Sequence, residues 1–220
     1  MKFDWAQNWP MFLEAFGETL YIVGAALGMG GAFGLVMGVV LFVTRKGGLL
    51  SSGWVFTALN VLVNFVRPIP FIIFLTAMGP VTIALTGTRI GTEAFIVPAA
   101  FMTAFGTSRI VEQNLVALDP GIIEAARSMG ASPLRIILTV IIPEALAPLI
   151  LGYTFIFIAV VDMSALAGMV AGGGLGHFAL TYGYQRFDWG VTYLTVLVIV
   201  ALVQVVQFFG NYLARKVLRR

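Results

Sequence analysis

Five runs of about twenty mostly apolar residues, at roughly 19–44, 54–79, 94–111, 143–163 and 189–211, constrain this chain more than any other feature. A membrane-spanning helix needs about 20 such residues, and in hydrocarbon only helices and closed barrels satisfy every backbone N–H and C=O. With 60% hydrophobic and 10% charged residues, a water-soluble domain of 220 residues could not bury so much apolar surface. The expected fold is therefore all-α, a polytopic membrane protein with about five transmembrane helices, forming a single membrane domain over residues 1–220. The start, "MKFDWAQNWP", lacks the basic stretch followed at once by an apolar core that marks a cleaved signal peptide, so the first span is expected to be retained.

The first run, "TLYIVGAALGMGGAFGLVMGVVLFVT", holds Gly24 with Gly28 and Gly34 with Gly38, each pair one helical turn apart. Small residues at that spacing let neighbouring helices approach closely, although glycine is also simply common in membrane helices. Lysine and arginine placement gives the orientation. With five spans and the C-terminus inside, Arg45, Lys46, Arg109, Arg127, Arg135, Arg215, Lys216, Arg219 and Arg220 are cytoplasmic, against Lys2, Arg89 and Arg186 outside. Nine against three puts the N-terminus outside and the 112–142 loop in the cytoplasm.

Several chemistries are excluded. The chain has no cysteine, hence no disulfide, Cys-based zinc site or Cys-ligated cluster. His177 is the only histidine and has no metal-ligand spacing around it, so no metal site is expected. There is no G-x-x-x-x-G-K-[ST], and "AGGGLG" (171–176) neither fits the dinucleotide pattern nor follows a strand; it suits a hinge or a close helix contact. No nucleophile–base pair is apparent, so the chain is not expected to be an enzyme or to hold a cofactor. No basic patch interleaved with aromatics suggests nucleic acid; the partners to expect are lipid and other proteins.

Against this apolar background the segment "DPGIIEAARSMGASP" (119–133) is conspicuously polar. Asp119 before Pro120 reads as an N-cap and first helical residue, and Gly130 before Ser132-Pro133 as a stop and a new start. The helix between them, about ten residues, is too short to be stable alone. Ile122, Ile123, Ala126 and Met129 share a face, while Glu124, Arg127 and Ser128 point elsewhere. Such a helix wants a partner surface: another protein, the bilayer, or the rest of its own chain. Two charges within or near the spans also stand out. Arg67, ahead of Pro68-Ile69-Pro70, either marks a kinked helix facing a wet pathway or snorkels at the inner surface. Asp162, at the outer end of the fourth run, either attracts the amino group of a substrate or is a solvated helix end.

"EAARSMGASPLRIILTVIIP" resembles the EAA loop of binding-protein-dependent ABC importer permeases, supplying Glu124, Ala125, Ala126, Gly130 and Pro143 at the family spacing. Val140 and Ile142 stand where isoleucine and leucine are usual. "GETLYIV" (17–23), "NFVRPIPFIIFL" (64–75), "SALAGMVAGGGLG" (164–176) and "YGYQRFD" (182–188) extend the likeness and are similar to methionine-importer permeases. One departure is Asp162-Met163, where that family usually carries a Gly-Tyr-like pair ahead of Ser-Ala.

The resemblance implies the type I importer permease fold and a bacterial inner-membrane subunit working by alternating access. It implies a homodimer of permeases, two cytoplasmic ABC ATPase subunits that bind the ATP and magnesium, and an extracytoplasmic substrate-binding lipoprotein. It makes the 119–133 segment the coupling helix that docks on the ATPase, with Asp119, Pro120, Ile122, Ile123, Glu124, Ala125, Ala126, Met129, Gly130 and Pro143 as its residues. Arg67, Asp162 and Met163, read from the residues themselves, are the candidates for the pathway. The implied substrate is an amino acid, methionine first; another amino acid or glycine betaine is the alternative. An ion-coupled secondary transporter would need carboxylates deep in its spans and usually repeated halves, which five unequal runs with acids mostly at their ends do not offer.

Overall fold

The computed structural model describes residues 5–218. Lys2, Arg219 and Arg220 of the basic tally lie outside the described residues.

Helix α1, Trp5–Thr44, runs for 40 residues, about 60 Å at 1.5 Å per residue. The expected span begins near residue 19, just after Glu14 and Glu18. The helix continues across them because its earlier turns have protein to pack against: Phe12 and Ala15 are buried with Leu175, Phe178 and Val191.

The second apolar run does not form one span. It breaks into α2 (Gly53–Val66) and α3 (Phe71–Ala77), bent by 109°. Pro68 and Pro70 cannot donate to a helical ladder, so the last regular bond of α2 is from the Arg67 amide to the Val63 carbonyl, 3.1 Å. A short α4 (Gly79–Thr86) leads to α5 (Thr92–Val116). The polar loop supplies α6 (Pro120–Ser128) and α7 (Pro133–Ile136). A wide π turn (Ile137–Ile141) and α8 (Ile142–Glu144) then precede α9 (Leu146–Ser164). The π turn answers Pro143: with no proline N–H to close the preceding turn, the Ile142 amide reaches back five residues to Ile137. After α9 come a 3-10 turn (Ala167–Val170), α10 (Gly174–Phe178), a second π turn (Ala179–Tyr184) and α11 (Trp189–Leu218). Four of these helices are long and apolar enough to cross a membrane, five if the bent pair counts as one span.

Helices α1 and α5 cross at close range. A Cβ on Gly34 would lie 2.5 Å from the Thr107 Cβ, and one on Gly38 would lie 2.6 Å from the Ser108 carbonyl oxygen and the Val111 Cβ. Gly30, one turn earlier, sits against the Ala100 carbonyl in the same way. Gly34 with Gly38 thus behaves as expected, but Gly24 with Gly28 does not: a Cβ on either meets nothing within 4 Å. Above this crossing Ile22, Val23 and Ala26 pack with Phe95, Ile96, Ala99 and Val160. Below it Phe42, Val43, Val111 and Leu115 pack with Ala126, Ile136, Ile141 and Ala145. The second cluster carries the polar loop.

Candidate functional site

The 119–133 segment forms the short capped helix its residues call for. The Asp119 carboxylate accepts the Gly121 amide at 2.8 Å, and Pro120 occupies the first turn. The exit is a Schellman turn: the Gly130 amide donates to the Arg127 carbonyl (2.9 Å) and the Ala131 amide to that of Ala126 (3.2 Å). Gly130 takes φ +77°, the left-handed region that side chains resist. Two residues on, the Ser132 hydroxyl accepts the Arg135 amide and starts α7. With both ends fixed, α6 keeps a set angle to the spans beside it.

Its faces divide differently from the sequence expectation. Ala126 is buried at 3% exposure in the cluster shared with α1, α5 and α7, and Ile123 packs at the edge of that cluster. Ile122 is half-buried. Met129, grouped with these residues by spacing, is 81% exposed at the C-cap. The exposed residues of the helix and its C-cap are Pro120, Gly121, Glu124, Ala125, Arg127, Ser128 and Met129. One apolar edge therefore seats the helix on its own chain, and the face carrying Glu124 and Ala125 is available to a partner. Pro143 lies beyond the π turn, exposed, at the entry to α9.

Arg67 stands at the break itself, as the exposed C-cap of α2. Asp162 and Met163 lie in the last turn of α9, Asp162 exposed and Met163 packed at the edge of the core. A carboxylate in the last turn faces the negative end of the helix dipole, so Asp162 gains nothing there as a helix end. The structure places no ion pair between Arg67 and Asp162.

Two arrangements are not apparent from the sequence alone. On α2, Thr57, Asn60, Asn64 and Arg67 fall at steps of three, four and three residues and so share one face. The Asn64 amide donates to the Asn60 side-chain carbonyl at 3.1 Å, and Arg109 of α5 donates to the same oxygen at 3.3 Å. Arg109 also pairs with Glu112, which is buried at 7% exposure. The helical spacing of three asparagine and arginine residues in an apolar run was the available signal. At the other end of the molecule, the Glu18 carboxylate accepts the Gly174 amide at 2.7 Å and the Thr19 hydroxyl accepts the Leu175 amide at 2.8 Å. The Gly91 amide donates to the Val170 carbonyl (2.6 Å) and the Thr92 hydroxyl to that of Gly172 (3.1 Å). The "AGGGLG" stretch is thus pinned between α1 and α5, with Gly173 and Gly174 at φ +69° and +88°. His177 is half-buried beside it, its Nδ1 3.4 Å from the Thr181 hydroxyl. Among the described residues no three His, Cys, Asp or Glu side chains converge on a metal position.

Comparison with known proteins agrees with this architecture. Residues 30–219 match the family model of the binding-protein-dependent transport system inner membrane component. A Vibrio cholerae protein named probable D-methionine transport system permease protein MetI is 41% identical over 212 residues, covering 96% of this chain and 94% of that one. The Bacillus subtilis methionine import system permease protein MetP is 36% identical over 203 residues, 92% of this chain and 91% of its own length. A chain from a structure described as inward-facing conformations of the MetNI methionine ABC transporter superposes with TM-score 0.93 and 36% identity, covering 98% of this chain and 99% of that one. The chain therefore belongs to the family of binding-protein-dependent transport system inner membrane components.

Proposed function

We propose that this chain is the membrane-spanning permease subunit of an ATP-driven importer of methionine, working by alternating access. The observation that carries the substrate is the likeness, over nearly the whole of both chains, to permeases named for methionine in Vibrio cholerae and Bacillus subtilis. The whole 1–220 stretch acts as one membrane domain, with the N-terminus outside and the α6 end in the cytoplasm of a bacterial inner membrane. Two copies form the pathway. Two separate ATPase subunits dock on the two α6 helices and bind ATP and magnesium, and a substrate-binding lipoprotein delivers methionine from outside.

Closure of the ATPase dimer draws the paired α6 helices together. Because Ala126 and Ile123 lie in the cluster that holds the ends of α1 and α5, that displacement passes into the spans rather than bending a loose loop. Asp119, Pro120 and Gly130 fix the geometry of the joint, and Glu124, Ala125 and Met129 face the ATPase. Arg67, Asp162 and Met163 border the pathway.

Vesicles containing this chain with its ATPase, supplied with the binding protein and ATP, test the reading. Accumulation of radiolabelled methionine that requires all three components supports it. Accumulation without ATP, driven by an ion gradient, contradicts it.

A further inference from the structure

The polar edge of α2 has no place against lipid. Thr57, Asn60, Asn64 and Arg67 follow one another along one side of a helix whose remaining surface is apolar, with Trp54 and Val61 exposed on the adjoining strip, Leu62 and Phe65 exposed beyond it, and Val63 and Val66 buried in the core. Amides and a guanidinium are retained inside a span where they meet water, a partner or each other. Here they meet each other only in part. The Asn60 oxygen collects both Asn64 and Arg109, while Asn64 and Arg67 remain exposed. Asn60 lies seven residues into α2 and Arg109 seven residues before the end of α5, so both sit about 10 Å in from the α6 end.

Charge adds a direction. Arg67 and Arg109 bring two positive charges and Glu112 one negative, leaving the group net positive. Glu112 is almost wholly buried, whereas the side chain of Arg109 keeps 27% exposure. The acid is thus on the protein side of the pair and the guanidinium on the open side. An approaching molecule meets amide and guanidinium donors and no carboxylate.

We propose that Thr57, Asn60, Asn64, Arg67 and Arg109 form a wet, donor-rich lining of the translocation path that takes the carboxylate of the amino-acid substrate on its way to the cytoplasm. Glu112 tempers its strength by holding Arg109 partly neutralised, so that the carboxylate is met but not retained. This rests on the importer reading for the word substrate, but not on which amino acid is carried.

The test uses the absence of native cysteine. Asn64→Cys, with the transporter and its ATPase in lipid nanodiscs, is treated with an anionic sulfonate thiol reagent and with its cationic trimethylammonium counterpart. Each rate is normalised to that with free cysteine. A wet positive lining is modified by both reagents, with the anion favoured about threefold or more, since one nearby charge in a largely aqueous site is worth a factor of that order. Glu112→Gln widens the preference, and Arg109→Lys, which keeps the charge, retains it. No modification by either reagent places Asn64 in packing or lipid and overturns the proposal, as does equal reaction or preference for the cation. Failure of ATP-driven methionine uptake in the unsubstituted chain overturns the functional reading separately, because this labelling involves neither uptake nor methionine.

Discussion

The Ala131 amide donates to the carbonyl of Ala126 at 3.2 Å, while the Ala126 side chain is buried among α1, α5 and α7. One residue therefore both closes the short α6 helix and roots it in the ends of the spans. A surface helix of nine residues has little stability of its own, and this double attachment holds it against the spans. Ala126→Leu would force a larger side chain into that cluster, at a cost of about 1–3 kcal/mol. The expected result is weaker ATPase-dependent uptake with the subunit still inserted. Uptake at the parental rate would show that the seat is not tight.

The α1–α5 crossing depends on Gly34 and not on Gly24. Gly34→Leu must part the helices at Thr107 and Ala104, and its thermal midpoint in detergent is expected to fall by several degrees, in line with about 1–3 kcal/mol for overpacking. Gly24→Ala, with open space around it, is expected to match or exceed the parent. Equal midpoints for the two variants would mean that the crossing is not the close one described.

Glu18 and Thr19 hold the backbone of Gly174 and Leu175. Replacing Glu18 by Gln weakens a charge-assisted bond of about 1.5–3 kcal/mol to an ordinary one. Amide hydrogen exchange over 171–178 is expected to quicken in Glu18→Gln and further in Glu18→Ala, with α5 and α9 unchanged. Unaltered exchange in Glu18→Ala would show that the segment is held by other bonds.

Asp162 lies exposed in the last turn of α9, where the helix dipole gives it no support. If it meets the substrate amine, Asp162→Asn should slow uptake several-fold, since an opposite charge a few ångströms away is worth about 1 kcal/mol in water and more where water is scarce. Assembly and basal ATP hydrolysis should persist. Unchanged uptake kinetics would remove Asp162 from the pathway.

Much of this architecture is legible in the residues. Apolar length gives the spans, and Asp119-Pro120 with Gly130 gives the limits of α6, because caps and left-handed glycines are local chemistry written in a few adjacent positions. What depends on distant partners is not. The early turns of α1 read as polar until Leu175 and Phe178 are seen to cover Phe12. Met129 shares a helical period with Ile122 and Ala126, yet it lies at the cap, where the helix face ends. The second run is mostly apolar, its polar side chains being Thr57, Asn60, Asn64, Arg67 and Thr76, so composition counts it as one span; the pair of prolines divides it. The glycines of α1 look alike in sequence, and the paths of α5 and α9 decide which of them are in contact: Gly30, Gly34 and Gly38 meet α5, and Gly31 meets Tyr153 of α9.

Gly130→Val asks whether α6 is the element through which ATP hydrolysis drives transport. Valine at φ +77° is strained whatever the surrounding space, at a cost of roughly 1–2 kcal/mol or more for a β-branched side chain. The turn that aims α6 is therefore lost while the spans keep their packing. The measurement is methionine taken up per ATP hydrolysed, in vesicles containing the variant and the ATPase. The expected variant is an inserted, dimeric subunit whose ratio falls at least tenfold, either because the ATPase no longer stays bound or because it turns over without moving substrate. A variant that retains the ATPase and keeps the parental ratio would contradict it.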